Sequence, residues 1–184
     1  MTIITSKANN LIKKTKKLLQ KKYRKTSYLI EGWHLYEEAR ANKADILRVF
    51  VTEEFLERVG DEEQVVVVSY DVLKELTESQ TPQGIVAEIA LESKEWQASA
   101  GRFLILEDVQ DPGNVGTMIR TADAAGFDAV IVSDKSADIY SQKTLRSMQG
   151  SHFHLPIYRM PMSHVLDDVT AHKIPLLAST LSKD

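Results

Sequence analysis

Short runs of apolar residues alternate with segments in which apolar residues recur every three or four positions. Between residues 27 and 91 the runs are bounded by polar and turn-forming residues, which is typical of strands, and the intervening segments are typical of amphipathic helices. Strands that alternate with helices indicate a small α/β domain. The predicted strands are 28–31, 46–51, 65–69 and 84–91, and the predicted helices are 33–41, 53–59 and 71–77.

A second alternating unit follows a stretch that lacks apolar periodicity. Residues 92–101, with the sequence ESKEWQASAG, are predicted to form a linker in which Trp96 docks onto the fold. We therefore expect an N-terminal domain of residues 1–95 and a second α/β domain of residues 96–184. The predicted strands of the second unit are 102–106, 129–133, 155–159 and 175–178, and its predicted helices are one that ends near residue 125, 143–148 and 163–172.

Residues 10–25 combine an apolar stripe with many lysines. On a helical wheel the apolar residues share one arc, which predicts one amphipathic basic helix. Residues 1–30 contain nine Lys or Arg and no Asp or Glu, whereas the remaining 154 residues carry 14 basic and 26 acidic residues. A basic segment on an acidic body attracts polyanions, so we expect contact with RNA or DNA; the alternative is a docked helix with a solvated lysine face. The apolar residues are Leu11, Ile12, Leu18, Leu19 and Tyr23, and the candidate RNA contacts are Lys13, Lys14, Lys17, Lys21 and Arg24.

The composition narrows the class of protein. Apolar residues make up 43% and charged residues 27% of the chain, which is the balance of a globular protein and not of a disordered tail or a fibre. The absence of cysteine excludes disulfides and thiolate metal sites and suits a reducing compartment. The apolar runs are far shorter than the ~20 residues that span a bilayer. We therefore expect a cytoplasmic protein with no membrane partner.

The stretch 106–133 carries the most distinctive chemistry. Asp, Pro and Gly stand between a predicted strand and a predicted helix, so the turn lies at the carboxyl end of a sheet strand, where ligands of open α/β sheets collect. Helix capping accounts for Asp111, Pro112 and Gly126. The residues that capping leaves unexplained are Asn114, Gly116 and Arg120.

Two common nucleotide-binding loops do not fit this turn. A dinucleotide-binding loop would need glycine where Val115 and Met118 stand, and the chain contains no Gly-Lys-Ser or Gly-Lys-Thr sequence. The missing glycine spacing disfavours a nucleotide-binding oxidoreductase.

The sequence DPGNVGTMIRTADAAG resembles the first motif of the SpoU/TrmH-type RNA 2'-O-ribose methyltransferases, which belong to the knotted SPOUT class. YSQKTLRSMQGSHFHLPI resembles the second motif of that family, with Arg146, Gly150 and Pro156 at the matching positions. YRKTSYLIEG and TPQGIVA resemble the beginning and the end of its RNA-binding domain. The resemblance covers nearly the whole chain. It implies a small N-terminal α/β RNA-binding domain, followed by an α/β SPOUT-type domain with a trefoil knot.

The resemblance also implies an activity, the transfer of a methyl group from S-adenosylmethionine to a ribose 2'-hydroxyl, with ribosomal RNA as the expected substrate. The complete protein is expected to be a homodimer. Asn114 and Arg120 are the expected catalytic residues, and Arg120 acts as a clamp and alkoxide stabiliser because a guanidinium stays protonated. Gly150, Ser179 and Thr180 are the expected cofactor contacts.

Two features depart from the family pattern. Met148 stands two residues before Gly150, where the family often has Ser, and Ser147 lies one position earlier. The family also continues beyond residue 184 with a Gly-Asn-Glu-Gly-like loop and a Ser-Leu-Asn-Val-like helix that hold the cofactor. We therefore expect this chain to be truncated, its knot to be incomplete and its 184 residues to be inactive on their own.

Other side chains leave alternatives open. His152 and His154 alternate as strand residues do and could face one side as metal ligands, but a third ligand is not evident, so we expect no metal. Arg146 could bind an RNA phosphate or pair with Asp138. The alternative to an enzyme is a non-catalytic RNA-binding protein or an inactive fragment of the enzyme.

Overall fold

The strands form two separate sheets in the computed structural model, which describes residues 2–60, 64–96, 98 and 101–179. The first half of the chain contains strands β1 Ser27–Glu31, β2 Ile46–Val51, β3 Val65–Val67 and β4 Ile85–Ala90, and helices α1 Asn10–Lys16, α2 Trp33–Ala41 and α3 Tyr70–Leu73. Its sheet has the order β1-β4-β2-β3. Strand β4 is antiparallel to β1 and β2, whereas β3 runs parallel to β2.

The second half builds a three-stranded parallel sheet in chain order. Its elements are β5 Phe103–Leu106, α4 Pro112–Ala124, β6 Ala129–Val132, α5 Gln142–Met148, β7 Ile157–Arg159 and α6 Met162–Ala171. Side chains alternate along β6, so Val130 and Val132 share a core with Ile119 of α4, whereas Ile131 packs against Val165 of α6. The sheet is thus covered on both faces, which explains why β6 is apolar throughout.

Most predicted elements form within one or two residues of their expected bounds, but several short ones differ. The segments 53–59 and 71–77 form 3₁₀ turns in whole or in part, a common outcome for short helical segments. The strand predicted at 175–178 is wrong, because residues 174–179 pair with no strand in the described ranges, and Leu177 is 97% exposed. Within those ranges, no helix has the length and apolar character that crossing a membrane requires. The 3₁₀ turns are Lys17–Leu19, Lys21–Tyr23, Glu53–Arg58, Lys74–Leu76 and Ser151–Phe153.

The basic segment does not form the single helix that its pattern predicts. Helix α1 ends at Lys16, and two 3₁₀ turns follow, separated by Gln20 in an extended conformation. The Arg24 guanidinium donates to the carbonyls of Leu18 and Leu19, at 2.8 and 3.0 Å. In a continuous α-helix these carbonyls would accept backbone N–H groups four residues later. The Arg24 side chain therefore takes the place of the backbone N–H groups that would have continued the predicted helix.

The two halves share one apolar core. The largest buried cluster contains Tyr28 of β1 together with Val115 of α4 and Leu145 of α5. Across the same boundary, the Thr77 hydroxyl donates to the side-chain oxygen of Gln142 at 3.0 Å. Side-chain packing therefore joins the halves in addition to the linker between them.

Trp96 anchors the linker, as predicted. Its ring packs edge-on against Phe103 and Tyr158, with ring centroids 5.0 and 5.3 Å away. Its indole N–H donates to Asp168 at 3.0 Å. A buried tryptophan needs both an apolar surface and a partner for its N–H, and this position supplies both.

Gly116 lies where α4 packs against α5. A Cβ atom at this position would lie 2.5 Å from the Cβ of Ser147 and 2.7 Å from the carbonyl oxygen of Thr144. The close approach of the two helices therefore requires glycine here. Helix packing thus explains one of the residues that capping leaves unexplained.

We expect Gly116→Ala to lower the free energy of unfolding by about 1–3 kcal/mol, because the added methyl group meets backbone atoms that cannot move away freely. In an exposed helix the same change is stabilising. Gly113→Ala is the control in the same helix. Its Cβ would meet only side-chain atoms, the Asp111 carboxylate at 3.0 Å and the Ser147 hydroxyl at 3.9 Å, and should therefore cost less stability than Gly116→Ala. Urea unfolding measures both variants, and a Gly116→Ala protein as stable as the parent would contradict the packing explanation.

Candidate functional site

The loop after β5 leads into a capped helix. The Asp111 carboxylate accepts the backbone N–H of Asn114 at 2.8 Å, and Pro112 is the first residue of α4. Gly126, with φ of 69°, follows the helix in a left-handed conformation. The capping roles predicted for Asp111, Pro112 and Gly126 are confirmed.

Two buried serines after β6 hold this loop. The Ser133 hydroxyl accepts the backbone N–H of Asp108 at 2.8 Å and donates to its carboxylate at 2.7 Å. The Ser136 hydroxyl accepts the N–H of Val109 and donates to the carbonyl of Leu106, both at 3.1 Å. These bonds offset the cost of the left-handed backbone of Asp108, whose φ is 52°. Sequence reasoning missed both serines, because serine in a loop indicates only a turn.

Arg159, at the end of β7, fixes the loop that contains these serines. Its guanidinium donates to the carbonyls of Ser133, Asp134 and Ser136, at 2.7, 3.1 and 3.0 Å, and to that of Ala137. Burial lowers the pKa of Arg159, but a guanidinium remains charged at neutral pH. No sequence pattern indicates this role, since backbone carbonyls are partners that any residue supplies.

The predicted catalytic residues Asn114 and Arg120 are both exposed on α4. They lie six residues apart, which corresponds to about 9 Å along the helix axis and to different sides of the helix. Within the described part of the chain, neither side chain has a hydrogen bond or ion pair, so Asn114 does not hold Arg120. Both side chains therefore face solvent, Asn114 in the first turn of α4 and Arg120 in its second half.

The expected cofactor contacts stay predictions. Gly150 is buried with φ of 89°, and a Cβ atom there would lie 2.9 Å from the Cγ of Glu38. Packing against α2 therefore accounts for the glycine at position 150. Ser179 is exposed, and Thr180 lies outside the described residues.

The four candidate lysines of the basic segment are all exposed. Tyr23, which the helical wheel places toward the core, is instead 41% exposed. The ammonium groups of Lys17 and Lys22 lie 5.6 and 4.9 Å from the centroid of its ring. An exposed ring among cations offers both a stacking surface and phosphate-binding charge. The four lysines are Lys13, Lys14, Lys17 and Lys21.

Two arginines differ from expectation. The side chain of Arg24 is only 5% exposed and forms an ion pair with Asp138, so its assignment as an RNA contact is corrected. Of the two alternatives for Arg146, the ion pair with Asp138 does not form within the described residues, where Asp138 pairs with Arg24. Arg146 is exposed near the end of α5 and stays a candidate for binding a phosphate.

His152 lies in a 3₁₀ turn and not in a strand, so it does not alternate with His154 as a metal-ligand pair would. Its Nε2 lies 2.9 Å from the Tyr28 hydroxyl. Burial lowers the pKa of His152 to about 3 and raises the pKa of Tyr28, so both groups are neutral and the Tyr28 hydroxyl donates this hydrogen bond to the imidazole. The described ranges contain no group of three or more His, Asp or Glu side chains that could hold a metal ion.

His154 joins α2 to α4. Its Nε2 lies 2.5 Å from the Glu38 carboxylate, and its Nδ1 lies 2.6 Å from the Asp123 carboxylate. The hydrogen bond with Asp123 is the main cause that raises the pKa of His154; partial burial opposes it, and Glu38 adds to it. Two carboxylates thus favour the imidazolium form, which donates from both nitrogens.

A cavity of about 750 Å³ lies between the first half, the linker and β7. Its lining includes Tyr28, Trp96, Tyr140 and Arg159. This volume is in the range of small-molecule sites. The predicted catalytic residues of α4 do not line it.

Two family models match the chain. Residues 9–87 match the MRM3-like substrate binding domain, and residues 101–184 match the SpoU rRNA Methylase family. A curated relative, the 23S rRNA (guanosine(2553)-2'-O)-methyltransferase RlmP of Bacillus subtilis, is 43% identical over 187 residues. That alignment covers 98% of this chain and 74% of the relative.

Solved structures share the fold. A crystal structure of an RNA 2'-O ribose methyltransferase matches with a TM-score of 0.78 and 31% identity, over 95% of this chain and 71% of that one. The AdoMet-bound rRNA methyltransferase from Sinorhizobium meliloti matches with a TM-score of 0.80 and 29% identity, over 92% of this chain and 69% of that one. The α/β architecture expected from the resemblance is confirmed.

The His154 bridge makes stability depend on pH. The pKa of His154 is higher in the folded protein than in the unfolded chain, where it is about 6.5, so protonation of His154 stabilises the fold. This stabilisation is complete below the unfolded pKa and is lost as pH rises through the folded pKa. We therefore expect the stability advantage of the parent over His154→Gln to shrink as pH rises above about 6.5. Because 36% of the His154 side chain is exposed, the change should stay below about 1 kcal/mol.

Urea unfolding of both proteins between pH 5.5 and 8.5 measures this difference. His152 has a lowered pKa and therefore destabilises the fold as pH falls below about 6.5. The main cause of the lowered pKa is burial, which both proteins share, so most of this contribution cancels in the comparison. A parent-to-variant difference that is constant over this range would show that the bridge does not titrate.

Proposed function

The chain belongs to the SpoU rRNA Methylase family, and we propose that it acts in the transfer of a methyl group from S-adenosylmethionine to a ribose 2'-hydroxyl of ribosomal RNA. The AdoMet-bound relative supports the methyl donor, and RlmP supports 23S rRNA as the substrate. The observation that carries the proposal is α4, where the first motif presents Asn114 and Arg120 to solvent. The guanosine equivalent to that of RlmP is the first candidate nucleotide.

Arg120 has the chemistry that this reaction needs. A 2'-hydroxyl is a weak nucleophile near neutral pH, so the site must orient it and stabilise the negative charge that develops on its oxygen. The planar guanidinium of Arg120 binds a phosphate beside the ribose and stabilises the alkoxide, while the Asn114 amide holds the ribose. S-adenosylmethionine, when bound, supplies the electrophilic methyl group.

The first half of the chain is the proposed substrate-binding part. We assign residues 1–95 to RNA binding and residues 96–184 to the methyltransferase domain, a division that the two family matches support. The exposed lysines around Tyr23 supply the charge that displaces counterions from RNA phosphates. Arg146 extends this set on α5.

The proposed assembly is a homodimer in the cytoplasm, where bacterial ribosomes are made. Met118 lies on the same helix as Arg120 and is 40% exposed, and burial of such a side chain by a second copy fits an apolar contact beside the site. Sedimentation of the complete protein measures the assembly directly.

The reaction is tested with the complete reading frame that contains these residues, methyl-labelled S-adenosylmethionine and an unmodified Bacillus subtilis 23S rRNA transcript. Alkaline cleavage of RNA requires a free 2'-hydroxyl, so a 2'-O-methyl group should leave the label in an alkali-resistant dinucleotide. Label on a base, or no label in the RNA, would refute the proposed function.

In the same assay, we expect Arg120→Ala to lower kcat by about 10²–10³-fold, as the loss of a charge-stabilising donor does. The fold should persist, because Arg120 is exposed and alanine favours a helix. Arg120→Lys should recover little activity, since lysine lacks the planar fork. Arg102→Ala, at an exposed arginine that bonds the Gly126 carbonyl, is the control. If Arg120→Ala methylates RNA at the parent rate, the role assigned to Arg120 is wrong.

The lysine surface is tested by the salt dependence of RNA binding. Reversal of Lys13, Lys14, Lys17 and Lys21 to Glu should weaken binding and flatten the slope of log affinity against log salt, by about one for each lysine that contacts a phosphate. The matched control reverses Lys43, Lys74, Lys94 and Lys173, which are exposed elsewhere. Equal slopes for the two variants would mean that only the net charge matters.

A further inference from the structure

Arg24 connects the basic segment to the loop after β6. One arm of its guanidinium donates to the carbonyls of Leu18 and Leu19, and the other donates to the Asp138 carboxylate. The side chains of Arg24 and Asp138 are 5% and 23% exposed. A single planar group thus binds both halves of the chain at a place largely closed to solvent.

Asp138 is itself fixed from its own side. Its carboxylate accepts the backbone N–H of Tyr140 at 3.1 Å, and its carbonyl accepts the Thr144 hydroxyl at 2.8 Å. Just before it in the loop, four backbone carbonyls accept hydrogen bonds from the Arg159 guanidinium. They belong to Ser133, Asp134, Ser136 and Ala137. The carboxylate therefore has little freedom to follow Arg24, and it determines where Arg24 lies.

The same loop holds the residues that precede α4. The backbone N–H of Ala137 donates to the carbonyl of Val109 at 2.8 Å. The Ser133 hydroxyl binds the backbone N–H of Asp108, and the Ser136 hydroxyl binds the backbone on either side of it. A continuous series of hydrogen bonds therefore runs from the basic segment, through Arg24 and the loop after β6, to the turn that begins the helix of Asn114 and Arg120.

We propose that Arg24 is a positioning residue: it fixes the RNA-binding segment relative to the turn before α4, so that RNA held by the lysines is presented to Arg120. The inference rests on the proposed function, and it replaces direct RNA contact as the role of Arg24. Methyl transfer requires the reacting atoms to be held about 3–3.5 Å apart, so a small displacement of bound RNA costs rate and not affinity. Lysine at position 24 cannot serve both sets of acceptors, because it lacks the planar fork.

Three variants separate this role from RNA contact and from general stability. Arg24→Lys keeps the charge and loses the fork, and Asp138→Asn keeps an oxygen for the Tyr140 N–H and loses the charge; the third variant combines them. We expect each single change to lower kcat by about 10–100-fold, while the dissociation constant for the 23S rRNA transcript changes less than about twofold. The kcat of the double variant should be no lower than that of the slower single variant, because both changes break the same Arg24–Asp138 interaction.

The control is Arg58→Lys, at an exposed arginine that pairs with Glu37 within the first half. It should leave kcat unchanged. Thermal melting checks the fold of every variant, and if Arg24→Lys does not fold, Asp138→Asn provides the same measurements. Losses of kcat that multiply in the double variant, or a weaker affinity for RNA with unchanged kcat, would overturn the proposal; the second result would make Arg24 an RNA contact.

A measurement without turnover makes the inference independent of the methylation assay. Amide hydrogen exchange of residues 107–111 should slow when the transcript binds the parent protein, and it should slow at most half as much in Arg24→Lys at equal RNA occupancy. Equal slowing in the two proteins would overturn the proposal even if the parent methylates RNA. A parent that binds RNA without methylating it would refute the proposed function, while the exchange difference would still support the positioning role.

Discussion

The burial of one face of β1 against α5 is the constraint on which the rest of the structure depends. Tyr28 and Ile30, on that face, enter the same core as Leu145 and Met148 of α5. Apolar burial supplies the driving force, and polar bonds at its rim, such as that between Tyr28 and His152, fix the relative position of the two halves. Two α/β units that the sequence presents in series thus become one packed body.

This junction gives the candidate RNA surface and the candidate active site a fixed spacing. RNA is recognised largely by shape, so a rigid distance between the lysines and Arg120 is itself a means of selecting a substrate. The charged groups at the junction, in the Arg24–Asp138 pair and the His154 bridge, are partly buried, and desolvation offsets much of their attraction. Their main contribution is therefore geometric.

Local signals predicted the elements of the fold well, because alternation, capping and turn residues act over a few positions. Asp111 and Trp96 behave as their local patterns indicate. Long-range contacts were missed: the basic helix ends early because Arg24 turns toward Asp138, 114 residues away in sequence. Arg159 was missed because its partners are carbonyls. Gly150 packs against α2, a contact that no local pattern indicates, and its expected contact with the cofactor stays a prediction.

The shared core should make the two halves one cooperative unit. Differential scanning calorimetry of the 184-residue chain measures this, because independent domains unfold in separate steps. We expect one transition in which the calorimetric and van't Hoff enthalpies agree. Two resolved transitions, or a calorimetric enthalpy well above the van't Hoff value, would show that the halves unfold independently and that the shared core does not couple them.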